Sequence, residues 1–452
     1  MAGSDGCEKL TDGIRILEND GVSYLDGDLS RARTSFSSVP LMTYDYDSGL
    51  ARGETIIATV KTTVQIHKND RQVEQLKRPR PDVFGRESAR QYVYGFVAAF
   101  PLSHDRLNWD LAESEWAFSA LEPYAVDARR GRMALAGANY VRLVDMETAK
   151  EAPFRHPWLS QVHTVQFSAD GKRLLVASSG FDAILEFDTQ SGEVIWEWFA
   201  WEHGFDRAML GHHVVRSPEQ REALTALGRE VILVEDPLKF EFGVATRLIP
   251  AHLNSARYDG DGRILASLFH QGAGIIIDRV TGEVRQVISG LVNPHKLSRR
   301  RDGGYFISDT RRGKLVLIDE DCRSVSEIAL AGLSGIERPE LISEFLQNTT
   351  ELRKDLFACV DIHRNSIWIV DVKRRKYRGI KFPLEWSMHD IARVRQEDVF
   401  RIGQLVGTVF SKVEALEEEE RKLIRHFSAD GRAIATVTLD AQGRAIGLDV
   451  VM

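Results

Sequence analysis

The chain has 452 residues, 43% hydrophobic and 28% charged, with a formal net charge of −7. That acidic excess, with no concentrated basic face to offset it, argues against nucleic acid as a partner, and no apolar run approaches the ~18 residues of a membrane span. The three cysteines, Cys7, Cys322 and Cys359, are scattered outside any CxxC pattern, so neither a disulfide framework nor a zinc-thiolate site is expected, and any metal would be held by nitrogen or oxygen.

The opening "MAGSDGCEKLTDGIRILENDG" has no apolar segment behind a basic start, so a cytoplasmic chain is expected. Residues 1–50 are polar and weakly patterned and read as an N-terminal arm, with a β-propeller over 51–452. "ETIIATVKTTVQIHK" (54–68) reads as strand able to pair with the C-terminal tail and close a ring, and "QLKRPRPDVFGR" (76–86) as an exposed loop. "YAVDARRGRMALAGANYVRLVDMETAK" (124–150) has the form of a blade without a leading histidine.

Three segments then share one frame: "HTVQFSADGKRLLVASSGFDAILEFDTQSGEVIWEW", "HLNSARYDGDGRILASLFHQGAGIIIDRVTGEVRQV" and "HKLSRRRDGGYFISDTRRGKLVLIDEDCRSVSEIAL". His163, His252 and His295 stand seven residues ahead of Asp170, Asp259 and Asp302 (163 + 7, 252 + 7, 295 + 7), each followed by glycine. Each segment continues through a short apolar strand, a small-residue turn and a strand ending in aspartate. The first two add an "SG/TG-E-V" turn into a fourth strand. Four antiparallel strands in roughly forty residues is the period of a propeller blade. "LFACVDIHRNSIWIVDVKRRKYRGIKFP" (356–383) supplies three strands of another, and "MHDIARVRQEDVFRIG" (388–403) opens one more behind His389. The expected fold is all-β, a six- or seven-bladed propeller with helical insertions.

Insertions are expected near 200–250, where Ser217-Pro218 caps a short helix, and at 338–355 and 411–427, both with helical apolar spacing. The first is placed as a lid over one face. The tryptophans of "EVIWEWFAW" read as blade-edge packing.

The first strand of a blade lines the central channel, so His163, His252, His295 and His389 are expected to converge at one mouth. Any one of them alone is explained by a hydrogen bond across a blade junction, whereas four on one ring point to a shared site. Neutral imidazoles there suit a divalent metal, with iron(II) favoured and manganese, copper or zinc as alternatives, oriented through their second ring nitrogens by Glu202 or backbone. His212, His213 and His270 are secondary candidates read as loop or rim residues.

"GEVIWEWFAWEHGF", "AHLNSARYDGDGRILASLFHQGAGIIIDRVTGEV" and "NPHKLSRRRDGGYFISD" resemble the propeller of the bacterial arylsulfotransferases over about residues 160–320. The resemblance implies sulfuryl transfer with His295 as nucleophile, His252 and Asn254 of the "H-x-N-S" motif steadying the transferred group, and His163 as acid or base. Phe269 and His270 stand where that family has an arginine. The four-histidine set is also similar to the iron(II) ligands of the carotenoid cleavage oxygenases. The expectation is therefore a metal-dependent oxygenase or lyase acting on a small molecule under the 200–250 insertion. The alternatives are metal-free group transfer and a non-catalytic propeller that binds a partner on its face.

Overall fold

The computed structural model describes residues 35–62, 94–102, 114–334 and 344–394 apart from 147, 149, 241–242, 261 and 385, together with backbone strands within 15–26 and 410–450. Strands form because β-branched and aromatic residues alternate or run between aspartate-glycine turns. Asp188 shows the turn chemistry: its carboxylate accepts from the backbone N–H groups of Gln190 (2.9 Å) and Ser191 (2.8 Å), and Gly192 follows at φ +75°. Asp278 repeats this with Val280 and Thr281, both at 2.9 Å.

The strands assemble into a six-bladed β-propeller. Blade 1 comprises Ala125–Arg129, Arg132–Ala136, Val141–Asp145 and Glu151–Phe154. Blade 2 comprises Val162–Phe167, Arg173–Ser178, Ala183–Asp188 and Val194–Phe199. Blade 3 comprises Leu253–Tyr258, Arg263–Leu268, Ala273–Asp278 and Val284–Ile288. Blade 4 comprises His295–Arg299, Tyr305–Asp309, Lys314–Ile318 and Ser324–Ala329. Blade 5 comprises Leu346–Arg353, Leu356–Asp361, Ser366–Asp371 and Lys376–Lys381.

Blade 6 joins the two ends of the ring. Its inner strand, Trp386–Val394, pairs antiparallel with Thr55–Thr62, followed outward by Tyr94–Pro101 and Trp116–Leu121. Middle strands such as "RILASL" and "AGIIID" are continuous apolar runs because both blade faces are covered by neighbours. Leu175, Ala177 and Ile184 of blade 2 pack in one cluster with Leu253, Ile264 and Ile275 of blade 3. The outer strand Val194–Phe199 alternates, since its edge meets solvent.

Several expectations change. Closure uses Trp386–Val394, and the tail instead forms a separate four-stranded sheet over 410–450. The segments at 338–355 and 411–427 are strand where described: Leu346–Arg353 is the inner strand of blade 5, and Phe410–Glu418 pairs with Arg421–Ser428. Short apolar runs satisfy helical spacing and strand alternation equally well, and tertiary pairing decides between them. Part of the arm joins the propeller: Ser35–Pro40 adds a parallel fifth strand to blade 4 and Asp45–Tyr46 one to blade 5. The 76–86 loop lies outside the described residues. Ser217 caps the helix Pro218–Ala226 as read, accepting from the Gln220 N–H. Among the described residues no helix is long and apolar enough to cross a membrane.

Candidate active site: a ring of buried histidines

All six inner strands start at the same mouth of the channel. Five carry a β-bulge there, between Val162 and Thr164, Leu253 and Ser255, His295 and Ser298, Leu346 and Thr349, and Met388 and Asp390. A bulge inserts one residue and re-aims its side chain. The repeated defect is how a regular sheet presents His163, Asn254 and His389 at this mouth.

Of the four sequence-selected histidines, His163, His252 and His389 meet ring to ring, and His295 is reached through Phe269. Ring centroids of His163 lie 5.2 Å from those of His252 and His389, and Phe269 bridges His252 (5.0 Å) to His295 (5.4 Å). All four are buried. Tyr124, at the head of the blade without a leading histidine, fills the gap 4.7 Å from His389 and 5.5 Å from His163.

The register of one histidine differs from the sequence alignment. Inner strands end in the pairs Phe167–Leu174, Tyr258–Ile264 and Arg299–Tyr305. Four residues back from Phe167, Tyr258 and Arg299 stand His163, Asn254 and His295. His252 comes two residues earlier, at φ +47°, matching Gln161 (+48°) and Asn293 (+54°). Asp259 misleads the count because it is a buried partner of Arg263 (3.0 Å) and Arg299 (3.3 Å). Asn254 donates to the Pro294 carbonyl (3.0 Å) and accepts from Ser267 (2.6 Å), so it steadies the chain entering His295.

Backbone carbonyls fix the tautomers. The Nδ1–H of His163 donates to Gln161 (2.7 Å), that of His389 to Tyr124 (2.8 Å), and that of His270 to Ile249 (3.0 Å). His295 Nδ1 lies 3.2 Å from the Asn293 carbonyl and 2.7 Å from Thr310 Oγ1. The Thr310 hydroxyl proton is committed to Leu346 O (2.9 Å), so its oxygen accepts from His295. Nε2 of each ring therefore keeps its lone pair. His389 Nε2 meets the Gln347 side chain at 3.4 Å, whereas His252 Nδ1 is buried without a hydrogen-bond partner.

Burial dominates the electrostatics. Desolvation, then the repulsion that a protonated His163 would exert, pushes His295 down to about 3. Desolvation takes His270 down to about 4 and, with repulsion from His163, His270 and His295, holds His252 well below the usual range. These rings are uncharged at neutral pH. His270, expected at the rim, is buried and stacks 5.4 Å from His252. His212 and His213 belong to the insertion, bonded to Leu248 O (2.9 Å) and Asp206 (2.8 Å). Glu202 is paired with Arg216 (2.5 Å) rather than oriented on a histidine.

The insertion packs Trp201, Val214, Ile232, Phe240 and Leu248 over Phe181 and Phe199 of blade 2. Its return to blade 3 is pinned by Asp182, whose carboxylate accepts from Ala251 N (2.7 Å) and Leu253 N (2.8 Å) on either side of His252. Burial pushes that carboxyl up to about 7.

Beneath the ring the channel is crossed by an ion pair. Lys296 Nζ lies 2.5 Å from Asp390 Oδ1, and both side chains are buried. Asp390 also accepts from Asn348 Nδ2 (3.1 Å), Ile391 N (2.9 Å) and Val126 N (3.2 Å). Arg311, half-buried, stacks 4.9 Å over Phe345, and its charge acts on His295. It supplies a guanidinium on blade 4, one blade on from His270.

As placed, the imidazoles do not close on one point. The His163–His252 and His163–His389 pairs meet edge to face at 84° and 67°. Among the described residues no group of three or more His, Cys, Asp or Glu is arranged to hold a metal ion.

No protein-family model matches the sequence, and no curated protein matches it. Among solved structures the chain is similar to virginiamycin B lyase from Staphylococcus aureus, at 10% identity over 73% of this chain and 85% of that one, TM-score 0.37. It is also similar to a protein of unknown function from Bacteroides caccae, at 11% identity over 76% and 100%, TM-score 0.46. A third is dihydro-heme d1 dehydrogenase NirN, at 12% identity over 90% and 75%, TM-score 0.34. These distant likenesses assign no residue a role.

Proposed function

We propose that the histidine ring is the active site of a propeller enzyme that transfers an anionic group, of the sulfuryl type implied by the arylsulfotransferase resemblance, between small molecules. One observation carries the reading: the buried His295 has its Nδ1–H fixed on Thr310, which leaves the lone pair on Nε2, and Arg311 lies within electrostatic reach of the ring. In this reading Nε2 attacks the group as the donor oxygen leaves, Arg311 balances the developing negative charge, and His163 Nε2 accepts the proton of the incoming hydroxyl. Asn254 acts by positioning His295.

The test is transfer from p-nitrophenyl sulfate to a phenol acceptor, with mass spectrometry of the peptide carrying His295. Release of p-nitrophenol with a sulfated His295, both abolished in His295→Ala, is expected. Turnover that survives His295→Ala would overturn the assignment.

A second reading retains a divalent ion, iron(II) first, on His163, His252, His295 and His389. It is favoured by the carbonyl-held Nδ1 atoms, an arrangement that orients ligating imidazoles, and it requires the rings to turn so that their Nε2 atoms converge. Bound there, the ion would supply oxygen activation or Lewis acidity. Elemental analysis of protein purified without chelators separates the readings: about one metal per chain, lost in His389→Ala, would put this one first.

A further inference from the structure

Beyond the Lys296–Asp390 pair, the far end of the channel differs in character from the histidine ring. A cavity of about 910 Å³ opens there between the ends of the inner strands and the Asp127–Gly131 turn of blade 1. That volume falls within the range of small-molecule sites. Among the described residues, seven of those lining the cavity are Arg or Lys and two are Asp or Glu, in a chain whose net charge is −7.

Several of these cations are already balanced. Lys296 is paired with Asp390, Arg299 with Asp259 and Glu320, and Arg393 with Glu54. Four guanidiniums, Arg129, Arg130, Arg257 and Arg301, then face two carboxyls, Asp127 and Glu351, an excess of two positive charges (4 − 2). Arg257 gives one N–H to Val165 O at 3.2 Å, but its buried Nε has no partner. Arg130 reaches the Asp170 carbonyl at 2.9 Å. Burial raises both Asp127 and Glu351 above the usual carboxylate range, opposed by the charges of Arg257 and Arg301 respectively.

The sequence shows why the charge gathers here. "DARRGR" and "SRRRDGG" place arginines in the first hairpins of blades 1 and 4, while Arg257 closes on the axis from blade 3. Planar guanidinium forks from three blades suit a ligand carrying several oxyanions, which they can grip in pairs. We propose that this cavity binds a small phosphate-bearing polyanion, at a site separate from the histidine ring.

Isothermal titration of the full chain with inorganic triphosphate, and in a second arm with ATP, tests this. Saturable binding of one triphosphate per chain is expected, weaker at high salt and reduced roughly ten-fold or more by Arg129→Gln/Arg301→Gln. Both arginines lie at hairpin turns, and circular dichroism would check that the variant folds. His295→Ala should leave triphosphate binding unchanged, so failure here is distinguishable from failure of the group-transfer reading. Tighter binding of ATP would show that the organic portion is seated as well. No saturable binding of either probe, or equal affinity in the double variant, would overturn the proposal.

Discussion

Replacing Asp390 by asparagine tests whether the ion pair across the channel holds the ring together. The side chain keeps its volume and one acceptor oxygen, which can still serve Ile391 N and Asn348 Nδ2. Its new amide would face the Val126 N–H, donor against donor, and Lys296 would stay buried without its carboxylate. Breaking a buried pair from one side typically costs about 3–5 kcal/mol. Removing the stranded charge as well, in Lys296→Met/Asp390→Asn, should recover about 2 kcal/mol or more of that loss. Equilibrium urea unfolding of the wild type and the two variants, compared at equal m, reads both quantities. A cost below about 1 kcal/mol for Asp390→Asn, or a double variant no more stable than the single, would refute the view that the pair is desolvated and interdependent.

Acid should weaken the fold through the same mouth. His270 and His295 titrate near 4 and 3 in the fold, against an ordinary 6.5. As pH falls through 6.5 the unfolded chain takes up protons that the fold refuses. Stability should therefore drop by about 1.4 kcal/mol per pH unit for each ring, full above 6.5 and lost by the time both rings protonate. Urea midpoints at neutral and acid pH would show this, and a His270→Gln/His295→Gln variant should give the flatter profile. Ser217→Ala should cost the helix Pro218–Ala226 about 1 kcal/mol. Because that helix buries no residue, faster amide exchange should appear there while the global midpoint stays put. Gly243→Ala would place a Cβ 2.5 Å from Gly180 O at φ +74°, against the contact that Val244 N makes there at 2.8 Å. Limited proteolysis should then cut first within 200–250.

Blades 2, 3 and 4 were legible because their aspartate turns repeat in the open sequence; His163, His252 and His295 were legible because each stands seven residues ahead of such a turn, and His389 because it heads a strand-like segment. The inner strand of blade 5 was hidden because Gln347, Asn348, Thr349 and Thr350 are polar although buried, so no apolar alternation marks them. Blade 6 is divided between the two ends of the ring, and no local pattern announces a partner more than three hundred residues away. Lys296 and Asp390 were missed for a different reason. Each directly follows a histidine, and only the bulges, which sequence spacing does not encode, turn them inward to meet.

The divided blade also has a temporal meaning. Thr59 bonds to Asp390 across a separation of 331 residues, so the strands at 55–121 leave the ribosome long before the strand that completes them. At about 5–20 residues per second, that wait lasts roughly tens of seconds. Throughout it, Thr55–Thr62 presents a bare, apolar strand edge, the kind that recruits wrong partners. Until residue 394 emerges that edge has no native partner, and mispairing competes with closure for as long as the interval lasts.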